Sequence, residues 1–245
     1  MNNSCIIVNT VSTSRDLWAM FFGQLEKYYP GNKVYVFTDD RKGIPDSYNV
    51  IRYDPRDNFR TQYLNCLKTV KEDFLLYLNE DYILYDDVKK DLINEYVSIL
   101  SKDGTISFIR LTRGDNFTSL KYKDREDLFY LDNKSEFFFS QTAAIWKRAV
   151  LEKIHEMGPD LHIAGKRTKL QFEVEANKVC STLDIKGLVA YNNEPKRGLV
   201  HYDSIVFPYI ASALVKGKWN LGEYEKELMP ILVEYQINYR KRGRI

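Results

Sequence analysis

Short apolar runs that end in polar residues alternate with amphipathic segments over residues 5–111 of this 245-residue chain. Apolar spacing between the runs predicts helices that begin near Ser12 or Thr13, cover 58–71, and begin again near Asp86 or Asp87. The runs themselves are predicted strands: CIIVNT (5–10), KVYVFTDD (33–40), NVIRYD (49–54), FLLYL (74–78) and TISFIRL (105–111). Alternating strands and helices predict βαβ units, and so an α/β fold with a mainly parallel central sheet flanked by helices.

The alternation stops at 112–135, which we interpret as a loop rich in charged and aromatic residues. Beyond it, apolar spacing predicts a strand at 136–146, helices at 147–157, 168–180 and 222–238, and a strand at 187–192. Pro230 marks a kink or break in the last helix. The chain has no internal repeat and no linker rich in Gly, Ser or Pro. We therefore expect a single domain over 1–245 with a helical C-terminal extension from 206.

Charge and cysteine usage restrict the class of protein. The net charge is only +2, so the chain has no strong positive field that would attract nucleic acid. No leader-like segment or apolar run of about 20 residues is present, so we expect a cytoplasmic protein. The cysteines have no metal-binding spacing and are expected to be reduced, mostly buried thiols: Cys5, Cys66 and Cys180.

A basic cluster lies near the C-terminus and consists of Arg240, Lys241, Arg242 and Arg244. Two interpretations stay open for it. One is a solvated tail, and the other is a weak peripheral contact with acidic lipid or with a lipid-linked acceptor.

Polar residues follow three of the predicted strands, at Asn9-Thr10, Thr38-Asp39-Asp40 and Asn79-Glu80-Asp81. In an open α/β sheet, ligands bind outside the carboxyl ends of the strands, so these residues are candidates for one site. On an extended segment Asn79 and Asp81 point one way and Glu80 the other. Carboxylates there suit Mg²⁺ or Mn²⁺ bound to a diphosphate, because these ions prefer oxygen ligands. The alternative is a pair of solvated acids in a loop.

Two later segments carry further candidates. KRGLVHYDS (196–204) joins a basic loop to His201, one of three histidines in the chain. LQFEVEANK (170–178) places Glu173 and Glu175 on a helix, where at most one of them faces a cleft. A lone His is often structural and helix glutamates are often exposed, so both segments keep a structural interpretation.

Together, the early strand, the Thr38-Asp39 strand end and the apolar strand that closes on Asn79-Glu80-Asp81 resemble the GT-A glycosyltransferases. The resemblance covers most of 4–205 and implies a Rossmann-like GT-A domain. By the resemblance, Thr10 and Arg15 lie near the nucleotide of the donor, and Asp39 near its base or ribose. Asp81 is then a metal ligand, and Asn79 and Glu80 beside it bind the donor, with Asn79 standing where the family usually has the first Asp of DxD.

The same resemblance implies roles for the later segments. His201 is a second metal ligand, while Arg197 and Lys218 contact the diphosphate. Glu173, or as second choice Glu175, is the base that removes the acceptor proton in an inverting reaction. Residues 1–111 then form the nucleotide-sugar half and 112–205 the acceptor half.

We therefore expect a metal-assisted glycosyltransferase, with Mn²⁺ or Mg²⁺, that moves a sugar from a nucleoside-diphosphate sugar to a hydroxyl of a glycan, glycolipid or glycoprotein acceptor. A sugar nucleotidyltransferase is disfavoured because NTVSTSRD (9–16) has no glycine to cradle a triphosphate. A catalytically inactive carbohydrate- or nucleotide-binding module remains an alternative because of Asn79. The GxGxxG, GxSxG and GxxxxGK[ST] motifs are absent.

Overall fold

The computed structural model describes residues 3–114, 117–158, 168–197 and 201–245. Its helices are α1 (Arg15–Tyr28), α2 (Phe59–Leu67), α3 (Lys90–Lys102), α4 (Arg148–Met157), α5 (Thr168–Thr182) and α6 (Leu221–Glu234). Its strands are β1 (Ser4–Asn9), β2 (Val34–Thr38), β3 (Asn49–Arg52), β4 (Phe74–Asn79), β5 (Ile83–Leu84), β6 (Ile106–Arg110), β7 (Phe117–Lys121), β8 (Leu128–Leu131), β9 (Ala144–Lys147), β10 (Lys186–Ala190), β11 (Lys196–Arg197), β12 (His201–Tyr202), β13 (Tyr209–Ile210), β14 (Leu214–Val215) and β15 (Lys218–Trp219).

Nine of the described strands form the central sheet, in the order β3-β2-β1-β4-β9-β6-β10-β8-β7. Strands β1 to β4, β6, β7 and β10 run in one direction, while β8 and β9 run the opposite way. The sheet is therefore mostly parallel, which confirms the α/β prediction. Strand β9 lies antiparallel between β4 and β6, so it separates the two halves of the sheet.

Alternating side chains of the sheet enter two cores, one on each face. Ile6 and Val8 of β1 pack with buried residues of α1, α3 and α6. Cys5 and Ile7 of the same strand pack with buried residues of α2, α4 and α5. Because β-strand side chains alternate between faces, one apolar strand supplies both cores. The result is a three-layer arrangement with helices on both faces of the sheet.

The predicted starts of two helices are wrong. Helix α1 follows a 3-10 turn at Ser12–Ser14, and the Ser12 hydroxyl binds the Asp39 carboxylate instead of capping the helix. Helix α3 begins only at Lys90, because the preceding chain is held elsewhere: the Lys89 N–H donates to the Val206 carbonyl at 2.9 Å. Neither Asp86 nor Asp87 is its cap.

Three further predictions need correction. Residues 112–135 are not only loop, since β7 and β8 form an antiparallel hairpin on the edge of the sheet. The strand predicted at 136–146 is shortened to β9, because the polar residues before it enter a buried network at the candidate site. The C-terminal helix continues through Pro230, and its non-helical backbone lies at Tyr224 instead.

The C-terminal region is integrated with the rest of the fold. Its short strand β13 pairs with β5, and β5 follows closely after Asp81 in the chain. Trp219, Leu228 and Ile231 are buried in the same core as β1. The predicted helical extension therefore holds short strands as well as α6, and this region forms one wall of the candidate site.

The cysteines are buried and free, as predicted. Burial raises the pKa of the Cys66 and Cys180 thiols to about 12, and it also raises that of Cys5. Thiols of such high pKa are poor nucleophiles, so the cysteines fit a packing role. Within the described residues, no helix is long and apolar enough to cross a bilayer.

Candidate functional site

The carboxyl ends of β1, β2 and β4 meet at one edge of the sheet, where the sequence placed its polar residues. In the parallel register Asn9 lies opposite Phe37 and also opposite Asn79, so the three strand ends are neighbours. Strand ends in this arrangement are where α/β folds bind ligands.

Thr10 is buried at this edge and serves the fold. Its hydroxyl accepts a 2.8 Å hydrogen bond from Trp18 Nε1, and its carbonyl accepts one of 2.9 Å from the Tyr53 hydroxyl. Its backbone N–H donates to the Phe37 carbonyl at 3.0 Å. Since Thr10 is only 3% exposed, the structure does not present its side chain to a nucleotide.

Asp39 closes the loop that follows β1. Its Oδ1 accepts a 2.7 Å hydrogen bond from the Ser12 N–H, and its Oδ2 accepts one of 2.6 Å from the Ser12 hydroxyl. Partial burial raises the pKa of this carboxyl, but the hydrogen bonds from Ser12 outweigh it and leave the pKa lowered. Oδ1 also accepts a 3.3 Å hydrogen bond from the Thr38 hydroxyl, and Oδ2 can accept a further bond, so Asp39 is a fixed, ionised acceptor at the strand end.

Arg15 forms an ion pair with Asp40, and its guanidinium lies 5.5 Å from the centre of the Trp18 ring. Both partners are substantially exposed. The pair stands beside Asp39, on the side of the edge where β1 and β2 end. Arg15 is therefore near the expected nucleotide position, held by a neighbouring acid.

Asn79 is buried at the end of β4, where it lines the same cavity as Asp81 and its side chain is held in a hydrogen-bond network. The Tyr77 hydroxyl lies 2.6 Å from Asn79 Oδ1, and Asn79 Nδ2 donates to the Tyr82 hydroxyl at 3.0 Å and to the Gln141 carbonyl at 3.1 Å. Two of these contacts require an N–H donor, which an Asp lacks. The Asn in place of the first Asp of DxD thus has a structural reason, and its contact with a ligand stays a prediction.

Asp81 and Glu173 line one cavity of about 270 Å³ at the end of β4. We call it the acidic cavity; its other walls include Ser140, Gln141, Thr142 and Ser212. Glu173 is held there because its Oε1 accepts a 2.7 Å hydrogen bond from the Gln141 N–H. The structure thus brings together the residue predicted to bind a metal and the residue predicted to be the base.

Glu175 and Glu80 lie outside this cavity. Glu175 pairs with Lys178 at 2.8 Å along the surface of α5. Glu80 is half-buried in the turn after β4 and is not among the residues that line the acidic cavity. As expected from side-chain alternation, Asp81 enters the cavity and its neighbour does not.

The structure does not bring Arg197 or Lys218 to the cavity. The Arg197 guanidinium donates at 3.0 Å both to the Glu223 carbonyl and to Glu227, and it lies 4.6 Å from the Tyr224 ring centre. It therefore ties β11 to α6. Lys218 is exposed on β15, and Gly198 of the basic loop lies outside the described residues.

His201 lines a second cavity of about 600 Å³, which we call the arginine cavity; its walls also include Arg110, Thr112, Arg113, Ser140 and Thr142. The ring nitrogen Nδ1 lies 3.2 Å from the Ser212 hydroxyl, a lining residue of the acidic cavity. Ser140 and Thr142 line both cavities, so the two are adjacent. His201 stands on the far side of that shared wall.

A divalent ion fits the acidic cavity through one carboxylate. Within the described residues, no group of three or more His, Cys, Asp or Glu side chains is placed to hold a metal. Mg²⁺ and Mn²⁺ bound to a nucleotide need no such group, because phosphate and water complete their shells. Asp81, half-buried in a polar cavity, is a suitable oxygen ligand, whereas a closed site formed by the protein alone is not built here.

Sequence reasoning missed Arg110, Arg113 and Gln141. Arg110 ends β6 and would have been found by the strand-end rule that identified Asp39 and Asp81. Gln141 stands in a polar Ser-Gln-Thr triplet between two apolar runs, which was a signal that 136–146 is not one continuous strand.

The fold has been seen in other proteins. GalNAc-T7, solved with UDP, GalNAc and Mn²⁺, superposes with a TM-score of 0.50 at 12% identity, over 76% of this chain and 42% of that one. The fold is GT-A-like.

Two further solved structures give similar scores. TarS residues 1–349 from S. aureus has a TM-score of 0.49 at 12% identity, over 99% of this chain and 68% of that one. A CMP-2-keto-3-deoxy-manno-octonic acid synthetase solved with CTP has 0.47 at 10% identity, over 76% and 88%. No protein-family model and no curated protein matches the sequence. At these identities the likeness concerns the GT-A-like fold alone.

Proposed function

We propose that this protein is a glycosyltransferase that moves a sugar from a nucleoside-diphosphate sugar to a hydroxyl of a glycan or glycoconjugate acceptor. One observation carries the proposal: Asp81 and Glu173, from distant parts of the chain, line the same polar cavity at the carboxyl end of β4. A transferase needs a place for the leaving diphosphate and a base for the attacking hydroxyl, and these two carboxylates supply both.

The donor lies across the ends of β2, β1 and β4 in this proposal. Asp39 accepts hydrogen bonds from the base or ribose, and Ser12 keeps its carboxylate in place through two short contacts. Asp81 lies toward the diphosphate and would hold a divalent ion together with phosphate oxygens. When bound, such an ion neutralises the charge that develops on the departing diphosphate.

Glu173 performs the proton transfer. Its carboxylate removes the proton of the acceptor hydroxyl as that oxygen bonds to the anomeric carbon and the bond from that carbon to the diphosphate breaks. A base must lie within hydrogen-bond reach of the proton that it takes, and general-base catalysis of this kind contributes roughly 10²–10⁴-fold. The Gln141 N–H orients the carboxylate through Oε1. Inversion at the anomeric carbon follows from direct attack.

A ligand-binding screen tests the proposal. The full chain is heated with UDP, GDP, dTDP or CMP, with and without Mn²⁺, and unfolding is followed by dye fluorescence. A diphosphate at about 100 times its Kd adds about 2.7 kcal/mol of stability, which corresponds to roughly 5–10 °C in Tm for a chain of this size. We expect the nucleotide of one nucleobase to raise the Tm more than the others, and Mn²⁺ to increase that shift.

Two variants make the screen specific. Asp81→Asn should lose the Mn²⁺-dependent part of the shift, while Asp87→Asn, which removes an exposed carboxylate outside the cavity, should keep it. Equal shifts with and without Mn²⁺ in the unmodified chain, or no shift with any nucleotide, would contradict the proposal.

Turnover separates the transferase from its alternatives. Release of nucleoside diphosphate from the donor marks a glycosyltransferase, and tight binding without release marks an inactive module. Pyrophosphate release from a nucleoside triphosphate marks a nucleotidyltransferase. The hydrogen bonds from the Ser12 N–H and hydroxyl to Asp39 after β1 support the first of these outcomes over the last, because these donors are engaged within the protein.

A further inference from the structure

The arginine cavity differs in charge from the acidic cavity beside it. Among the described residues that line it, two guanidinium groups, of Arg110 and Arg113, stand with His201 against one carboxylate, that of the exposed Glu136. The acidic cavity has Asp81 and Glu173 in its walls. Two adjacent cavities of opposite charge suit one extended ligand whose parts differ in charge, or two ligands that meet at the shared wall.

Arg110 places a charge deep in the wall. The side chain is 3% exposed, and its terminal nitrogen donates to the carbonyls of Phe137 at 2.8 Å and Phe138 at 2.7 Å. Burial lowers its pKa to about 10, so the group stays charged at neutral pH. A charge in such low-dielectric surroundings acts on a nearby anion more strongly than a solvated one.

Arg113 is held in a fixed orientation at the mouth of the cavity. Its guanidinium carbon lies 4.4 Å from the ring centre of Tyr191 and 4.2 Å from that of Tyr202. The rings stand at 83° to each other with centres 5.8 Å apart, so the guanidinium lies in the corner between them. A guanidinium positioned by aromatic rings is preorganised for planar, bidentate contact with carboxylate or phosphate.

A second observation concerns Thr142, in the wall that the two cavities share. Thr142 Oγ1 is buried and has no hydrogen-bond partner among the described residues, although Thr142 lines both cavities. A buried hydroxyl without a partner loses free energy unless something binds it. A saccharide that crosses from one cavity to the other would offer hydroxyls at this point.

The order of strands places this cavity on the acceptor side. The donor occupies the ends of β2, β1 and β4, whereas Arg110 ends β6, beyond the antiparallel strand β9. Glu173 lies between them, bound to Gln141 just before β9. An anion in the arginine cavity is therefore separated from the donor diphosphate by the base.

We propose that the acceptor is an acidic saccharide. Its carboxylate or phosphate binds Arg113 and is attracted by the buried charge of Arg110. The inference rests on the proposed glycosyltransferase function and names its acceptor class. The acceptor's anionic group occupies the arginine cavity, and its reacting hydroxyl reaches past Ser140 and Thr142 to Glu173.

Ligand-observed NMR titration of the full chain tests this without turnover. The probes are methyl β-glucoside, methyl β-glucuronide and glucose 6-phosphate, each with saturating nucleoside diphosphate present. Hydrogen bonds to a charged partner predict that an acidic probe binds roughly tenfold to a hundredfold more tightly than the neutral one. Whichever acidic probe binds more tightly identifies the anionic group.

Variants locate the effect. Arg113→Gln should remove the preference for the acidic probe, and Arg113→Lys should retain only part of it because an ammonium cannot make the bidentate contact. Lys134→Gln removes an exposed cation that is near the cavity in sequence but not in its walls, and it should leave the preference for the acidic probe unchanged. Unaltered Tm in each variant shows that the fold is intact.

The outcomes distinguish this inference from the function on which it rests. Equal affinity for acidic and neutral probes, or a preference that survives Arg113→Gln, overturns it. If Arg113→Gln instead weakens the binding of the nucleoside diphosphate, the arginine cavity binds the donor and the inference is wrong. Nucleotide binding with none of the saccharides bound also overturns it, and leaves the glycosyltransferase proposal standing.

Discussion

The backbone N–H of Gln141 donates a 2.7 Å hydrogen bond to Oε1 of Glu173, and this contact joins the segment before β9 to helix α5. The carbonyl of the same Gln141 accepts from Asn79 Nδ2 at 3.1 Å. The backbone of one buried residue, Gln141, therefore connects the end of β4, the segment before β9 and the helix that carries the proposed base. Its position couples the stability of the site to the geometry of Glu173.

Replacement of Glu173 by Gln should abolish sugar transfer while it preserves donor binding. The amide oxygen of Gln can still accept from the Gln141 N–H, so the fold and the cavity should be retained. Loss of the base predicts a fall in kcat of roughly 10²–10⁴-fold, with little change in the Kd of the nucleotide. Glu156→Gln, which changes an exposed acid at the end of α4, is the matched control. Full activity in Glu173→Gln would exclude this residue as the base.

Restoration of the DxD motif by Asn79→Asp should harm the protein. The change removes both N–H donors that reach Tyr82 and Gln141, and it places a carboxylate in a site that is 5% exposed. We expect a loss of about 2–3 kcal/mol in the free energy of unfolding. Urea denaturation measures it, with the exposed Asn193→Asp as control.

The same variant also addresses metal binding. Asn79 lines the acidic cavity, but its side chain is held by Tyr77, Tyr82 and Gln141, so Asn79→Asp should not tighten Mn²⁺ binding measured by calorimetry. A clear gain in Mn²⁺ affinity with unchanged stability would mean that position 79 contributes directly to the metal site.

Local sequence patterns predicted the part of the fold that depends on local periodicity. Strand β4 and its polar end are visible in the sequence because a buried parallel strand is continuously apolar and stops where it reaches a ligand edge. That rule identified Asp39 and Asp81, and helical periodicity placed Glu173 on a helix. Which of Glu173 and Glu175 enters the cavity depended on how α5 packs, which the sequence did not show.

Contacts between distant segments determine features that local sequence patterns do not report. Arg197 was predicted to contact the diphosphate because it lies in a basic loop, but in the structure it donates a hydrogen bond to Glu227 of α6. Strand β9 is inserted antiparallel between two parallel halves, and no local pattern reports the direction of a strand. The Gln141 carbonyl that holds Asn79 Nδ2 comes from a distant segment, so only the fold shows that this side chain is engaged.

Addition of one methyl group at Gly187 should destabilise the central sheet. A Cβ there would lie 2.2 Å from the Phe108 ring, which stacks on Trp146 with centres 4.1 Å apart. Overpacking of this kind costs about 1–3 kcal/mol, and Gly187→Ala should lower Tm accordingly. Gly104→Ala is the control, since nothing lies within 4 Å of its added Cβ. Equal Tm in both variants would show that Phe108 can move aside.

Buried His155 should make the protein sensitive to acid. Its ring stacks between Tyr63 and Phe172, with centres 4.5 and 4.6 Å away, and its Nδ1 lies 2.8 Å from the Leu151 carbonyl. Burial lowers its pKa from 6.5 to about 4, so the unfolded chain binds the proton more readily than the folded one. Stability is then full above pH 6.5 and falls as the pH drops from 6.5 toward 4.

The size of this effect follows from the shift in pKa, which corresponds to about 3 kcal/mol lost over that range. Urea unfolding followed by tryptophan fluorescence at several pH values should show it. In His155→Phe a ring still fills the space between Tyr63 and Phe172 but cannot take up a proton, so the variant should lose this part of the pH dependence. Identical pH profiles for the two proteins would mean that His155 binds its proton equally well in the folded and the unfolded chain, so that burial does not lower its pKa. Since Phe172 precedes Glu173 on α5, protonation of His155 should also disturb the proposed base, and transferase activity should decline together with stability in acid.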